Sequence, residues 1–402
     1  MTADPAVPAP RAPIGLVVAL LVLCTSVSIM STDMYSPSLP DLAGHFDASQ
    51  TLVQLTISLN LLAFGLAQLL HGPLSDRFGR RPVLLVSLVA VAALCLACAA
   101  AQTIGQLITA RVLLGIAAAA EAVIGLAVLK DLYDEGEQVR ALALLGMVIG
   151  IAPALAPILG GHLHVAFGWQ SNFLVIAAAA LVAFEAVRRF LPESTRPDPG
   201  ALDVRRVGSG YLRLLGNREF VVHTLMLGAA LGLVMAFVTG APFVLIDGHG
   251  VAPDRFGLYQ AAIVLPFFLG SLFASRVAVR WGSGRLLGLG VALVAAGAAT
   301  LLAVVLGGLE TPTTFTGAYM VMTAGMGPLF AAAPSLALRS IDGGAGIASA
   351  LLSGIEQTTA AAAAVIVSLL AAVGGSTSLA WVSAGLALAL LALHRTAPRP
   401  SG

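Results

Sequence analysis

The chain of 402 residues is 58% hydrophobic and 10% charged, with a net charge of +1 and a mean hydropathy of +0.95. A water-soluble globular chain is about a quarter charged, so the composition excludes a soluble enzyme, a nucleic-acid binder and a disulfide scaffold. A membrane-spanning helix needs about 20 apolar residues, and twelve of them take about 240 positions, close to the hydrophobic share.

A Pro/Ala-rich tail, residues 1–13, precedes an apolar run that is expected to be a retained first span rather than a cleaved signal. Further apolar runs predict spans near 14–36, 50–70, 82–101, 105–129, 139–160 and 171–190, then near 220–246, 256–276, 285–307, 313–337, 346–371 and 376–393. The expected organisation is an N-terminal six-helix half (14–191), a cytoplasmic linker (192–219), a C-terminal six-helix half (220–394) and a short tail (395–402). With this count, every Lys and Arg except Arg111 and Arg255 falls on the side of the termini. The positive-inside rule therefore predicts cytoplasmic termini. Cys24, Cys95 and Cys98 lie inside apolar runs and are read as small core residues. His162 and His164 lack the further ligands a metal site needs. No phosphate-binding loop for ATP occurs, so the energy is expected from an ion gradient, with no cofactor.

The segment Arg77-Phe78-Gly79-Arg80-Arg81 after the second span has a weak echo, Arg280-Trp281-Gly282-Ser283-Gly284, after the eighth. Two six-span halves in one orientation are the arrangement of major facilitator transporters, whose substrate site lies between the halves near the midplane. Gly72-Pro-Leu-Ser-Asp-Arg-Phe-Gly-Arg-Arg81 resembles the signature of that superfamily between the second and third spans. The resemblance implies a gate element, with Gly72, Asp76, Arg77, Gly79, Arg80 and Arg81 on the cytoplasmic rim stabilising the outward-open state.

Gly146-Met-Val-Ile-Gly-Ile-Ala-Pro-Ala-Leu-Ala-Pro-Ile-Leu-Gly-Gly161 is similar to the antiporter signature of the fifth span. Gly146, Gly150, Gly160 and Gly161 recur at spacings that let another helix approach closely, and Pro153 and Pro157 interrupt regular backbone bonding. Together with Ser31-Thr-Asp-Met-Tyr35, this pattern resembles the bicyclomycin and chloramphenicol resistance subfamily of drug:proton antiporters. Two departures stand out: Arg111-Val-Leu-Leu-Gly115 has Leu where that subfamily has Gln, and Trp169-Gln170 has Gln where it has Arg.

Ionisable residues at membrane depth are candidates for function because burying them is costly. Asp33 and Arg111 lie at similar depth on spans of opposite direction, where they are able to neutralise each other. The resemblance implies that Asp33 is a proton and substrate site, with Tyr35 in the same segment, and that Arg111 is its electrostatic partner; a permanent pair that only fixes helix packing is the alternative. Glu121, roughly 15 Å further along the Arg111 helix, has no cation nearby in sequence and is a second candidate proton carrier and substrate contact. Glu356 and its neighbour Gln357 are candidate substrate contacts in the second half. Glu185 is expected to pair with Arg188 and Arg189 at helical spacing.

The expectation is an all-α, twelve-helix, monomeric protein of a bacterial inner membrane. It exchanges protons for small, largely apolar drugs, by alternating access. A proton-coupled transporter of one specific nutrient or metabolite is the alternative. An embedded hydrolase or channel lacks a nucleophile–base constellation or a ring of pore charges.

Overall fold

A computed structural model of the chain describes residues 13–339, 341 and 345–397, without the side chains of 135, 139–140, 142–144, 146–149, 204–207 and 345–347. The expected tails up to 12 and from 398 onward, with Arg11 and Arg399, lie outside the described residues. The elements are α1 (Ile14–Asp33), α2 (Leu39–His45), α3 (Gln50–Phe78), α4 (Arg80–Ala99), α5 (Ile104–Leu132), α6 (Glu135–Phe167) and α7 (Gln170–Phe190). They continue with α8 (Val204–Leu215), α9 (Arg218–Pro242), α10 (Pro253–Leu306), α11 (Pro312–Arg339), α12 (Ala345–Leu369) and α13 (Gly375–Thr396).

Among the described residues, ten segments are long and apolar enough to cross a membrane. One of them, the 54-residue α10, is two spans joined end to end across Gly282, whose φ of 72° and ψ of 158° break the helix. Counting both arms of α10 and adding α7, the described residues form twelve membrane-length helices; α2 and α8 are short accessory elements.

The helix starts follow from capping chemistry. The side chains of Ser49, Thr103, Asp134 and Asn217 each accept a backbone N–H three residues on, supplying a partner that the first helical turn lacks. The weak sequence echo has a structural counterpart, because Gly79 (φ 99°, ψ 149°) and Gly282 adopt the same left-handed, extended backbone. Both glycines let one helix reverse into the next through a single residue, a conformation closed to residues carrying a Cβ.

Two buried apolar clusters divide the molecule, one built almost wholly from α1 to α7 and the other from α8 to α13. Outward-facing side chains such as Val86, Phe167 and Val279 remain exposed, as a lipid-facing surface requires. Cys24, Cys95 and Cys98 are free and buried.

The clusters meet along two antiparallel seams. At one, Gly65 and Leu69 of α3 abut Thr358 and Gly354 of α12, and the Ser58 and Ser368 hydroxyls lie 3.1 Å apart. At the other, α6 crosses the first arm of α10, with Gly161 against Pro253, Ile158 against Gly257 and Gly150 against the Phe268 ring. A Cβ on either Gly161 or Gly257 would run into facing backbone, so these glycines set how closely the helices approach. Gly146 lies where side-chain surroundings are outside the description.

Candidate functional site

Between the clusters lies a cavity of about 440 Å³ lined by α1, α6, α9, α10 and α11. Its wall is predominantly apolar and aromatic, with Met235, Phe267, Phe268, Met326 and Phe330 from the second half. The first half contributes Asp33, Gly150 and Pro153. Asp33 is the one ionisable residue in this lining, and it is 5% exposed. It ends α1, where the chain leaves regular helix for the Ser36–Ser38 turn, and Ser36 Oγ donates 2.8 Å to the Asp33 carbonyl. Its carboxyl has no hydrogen bond or ion pair to any described residue.

Arg111 is fully buried next to the cavity rather than in its lining. Its Nε donates 3.2 Å to the Thr56 carbonyl, and its Nη1 donates to the Ser31 carbonyl. The guanidinium carbon lies 4.5 Å from the Tyr35 ring centroid and 5.9 Å from that of Phe173. The direct ion pair expected between Arg111 and Asp33 is therefore replaced by a fork onto two backbone carbonyls, stacked over an aromatic ring. The guanidinium ties α5 to α1 and α3 while keeping its charge behind the cavity wall, and Asn60 Nδ2 reinforces the join by donating 2.6 Å to the Arg111 carbonyl. Tyr35 belongs to the same nest. It is fully buried, with its hydroxyl 2.5 Å from Thr56 Oγ1, and it does not reach the cavity.

Glu121 is 1% exposed, and neither carboxyl oxygen has a hydrogen-bond partner. It lies on the α5 face turned toward Cys24 and Ser28 of α1 and Cys95 of α4, outside the cavity lining. Glu356 and Gln357 also stay outside that lining, and the Gln357–Thr358 backbone abuts Gly65 at the α3–α12 seam. The candidate residues thus occupy four places, with only Asp33, Gly150 and Pro153 of them in the cavity wall.

The candidates of the Gly72–Arg81 segment form a fifth group. Arg80 reaches Asp76 at 2.5 Å, Asp131 at 3.0 Å and Ser75 Oγ at 2.6 Å. Glu193, after α7, accepts the backbone N–H groups of Arg80 at 2.9 Å and Arg81 at 3.2 Å. Arg81 Nη2 donates 2.5 Å to the Arg188 carbonyl, and the Asp198 N–H donates 2.9 Å to the Asp76 carbonyl. Gly79 is enclosed beneath the Glu193 carboxylate, whereas Gly72 packs loosely and Arg77 has no partner among the described residues. Glu185 pairs with Arg188 at 2.7 Å and also with Arg189. No group of three or more His, Cys, Asp or Glu side chains able to hold a metal occurs among the described residues.

Sequence reasoning passed over the aromatic wall and Gln260. The phenylalanines sit in an apolar span where nothing in their spacing separates a cavity face from a lipid face. Gln260 carried a usable signal, being an uncharged polar side chain within an apolar stretch.

The sequence description of the Major Facilitator Superfamily matches residues 21–363. The chain is 30% identical over 306 residues to the multidrug transporter MdfA of Edwardsiella ictaluri (strain 93-146), covering 76% of this chain and 73% of the relative. It is 29% identical over 327 residues to a chloramphenicol resistance protein of Pseudomonas aeruginosa, covering 80% of this chain and 76% of the relative. Among solved structures, the partially occluded inward-open xylose transporter XylE from E. coli superposes with a TM-score of 0.75 at 14% identity, covering 97% of this chain and 99% of that one. An inward-facing bacterial homolog of the human lysosomal transporter Spinster gives 0.71 at 14% identity, over 96% and 94% of the two chains. At those identities the two structures speak for the fold alone.

Proposed function

Because the chain belongs to the Major Facilitator Superfamily, we propose that it is a proton-coupled antiporter that exports small, largely apolar drugs from the cytoplasm by alternating access. The observation that carries this reading is the cavity, a predominantly apolar and aromatic chamber of about 440 Å³ with a single unpaired carboxyl, Asp33, in its wall. Apolar pockets with few polar groups tolerate varied ligands, since burial of surface rather than directional bonding supplies the affinity. The names of the relatives, a multidrug transporter and a chloramphenicol resistance protein, support the same substrate class.

In the proposed cycle Asp33 takes a proton while the cavity faces outward, carries it across as the halves rock, and gives it up as substrate binds from the cytoplasm. One charge moving through 100 mV supplies about 2.3 kcal/mol, enough for roughly a fifty-fold gradient. Arg111 acts as a fixed positive charge behind the wall, without touching Asp33. Both termini are placed in the cytoplasm of a bacterial inner membrane, following the distribution of Lys and Arg.

The test is growth of a drug-sensitive, pump-deficient host expressing the protein across an antibiotic panel, with chloramphenicol-like and bicyclomycin-like compounds first. Resistance to several unrelated compounds is expected. Unchanged resistance, together with altered uptake of one metabolite, would overturn the multidrug reading.

A further inference from the structure

Pro157 has no backbone N–H, so the carbonyl of Pro153, four residues earlier on α6, loses its normal helical donor. A carbonyl freed within a membrane needs another partner. That partner comes from the opposite half of the molecule, where Gln260 of α10 donates its Nε2 to the Pro153 carbonyl at 3.2 Å. Gln260 is 2% exposed and lines the cavity alongside Pro153 and Asp33. Its other amide atom, Oε1, is buried with no hydrogen-bond partner. An amide tethered at its nitrogen has a fixed direction for its oxygen, and a buried acceptor left empty costs free energy that a suitable donor recovers.

We propose that Gln260 couples occupancy of the cavity to closure of the α6–α10 seam: Nε2 holds the carbonyl that Pro157 frees, and Oε1 accepts a hydrogen bond from substrates carrying a hydroxyl or amide N–H on an otherwise apolar body. The bond spans the two halves, so it exists only while α6 and α10 lie together. When the seam parts, the amide loses its anchor and Oε1 loses its fixed direction. Donor-bearing substrates are therefore held more tightly in the seam-closed state than in the open one, a difference that lets binding shift the conformational balance. The proline pair contributes by exposing an acceptor at one depth of α6, opposite the one amide in the cavity lining.

The inference rests on the cavity being a drug site, and the experiment separates the two claims. Binding of chloramphenicol, which carries two hydroxyls and an amide N–H, is compared with binding of tetraphenylphosphonium, which has no donor, in purified wild type, Gln260→Leu, Pro157→Ala and the double variant. Spin labels at exposed Val165 and Arg255, on the outer ends of α6 and α10, report the seam. Chloramphenicol should bind roughly tenfold more weakly to Gln260→Leu, with tetraphenylphosphonium unchanged.

Pro157→Ala restores a helical N–H that recaptures the Pro153 carbonyl. It should lower chloramphenicol affinity in the same direction and lengthen the label distance, although Gln260 is intact. The double variant should be no weaker than Gln260→Leu alone. Equal losses on both probes, unaltered chloramphenicol affinity in Gln260→Leu, or fully additive losses in the double variant would overturn the coupling. If wild type binds neither probe, the drug-site reading fails, and unchanged label distances in Pro157→Ala then overturn the latch itself.

Discussion

At the scale of single residues, Asp33 and Arg111 divide the tasks that their similar depth suggested they share. Asp33 faces the cavity without a partner, whereas Arg111 donates from Nε and Nη1 to the Thr56 and Ser31 carbonyls and stacks on Tyr35. Asp33→Asn keeps the volume and removes the titration. Resistance should fall to the level of the empty vector while expression and membrane insertion stay normal. Full resistance in the Asn variant, measured as growth at matched expression, would exclude Asp33 as the coupling carboxyl. Arg111→Lys is expected to fail for a different reason, because a compact ammonium on a flexible stem cannot serve two carbonyls and a ring face together. With charged hydrogen bonds worth about 1.5–3 kcal/mol each, losing one should lower stability by about 2 kcal/mol, seen as a lower Tm, and transport should drop with it. A wild-type Tm and wild-type proton-coupled transport in proteoliposomes would show that charge alone suffices at this position.

At the scale of elements, the α6–α10 crossing shows which structural information the sequence carried. Gly160 and Gly161 were legible, because small residues at helical spacing announce a close approach; Gly160 meets the backbone of Met34 and Gly161 that of Pro253. The partner helix was not legible, since one sequence gives the periodicity of a face and not the identity of what covers it. The same limit hid the aromatic wall, made Glu356 an expected contact although it stays outside the cavity lining, and left α8 unread within a polar linker. Tyr211 of α8 donates its hydroxyl to the Leu69 carbonyl at 3.2 Å while Leu214 is buried in the second half, so the linker helix bridges the halves. Gly161→Val drives a branched side chain into the Pro253 carbonyl and should hold the outer ends of α6 and α10 apart. A cysteine placed at cavity-lining Val264 should then react with a membrane-impermeant thiol reagent from outside faster than in wild type, and export should be largely lost. Unchanged labelling would mean that this crossing does not seal the outer face.

At the scale of the whole molecule, transport needs each half to move as a body, and the Arg80 cluster supplies stiffness to the first. Asp76 is on α3, Arg80 on α4, Asp131 on α5 and Glu193 just beyond α7, so one guanidinium and its backbone gather four segments at one end of the first half. The Asp76 side chain is 46% exposed, against 12% for Arg80. An exposed pair of this kind is worth about 0–1 kcal/mol, so Asp76→Ala should scarcely alter stability. Because Asp131 still holds Arg80, the cluster loosens without dissolving: turnover in proteoliposomes should fall several-fold while drug affinity in detergent stays within about twofold of wild type. Adding Asp131→Ala removes the second anchor, and neighbours that share one partner are non-additive. The double variant should therefore lose more turnover than the two single losses combined. A large loss of affinity with unchanged turnover in Asp76→Ala would move this residue from the gate to the binding site, and strictly additive losses would deny that the two carboxylates act through one arginine.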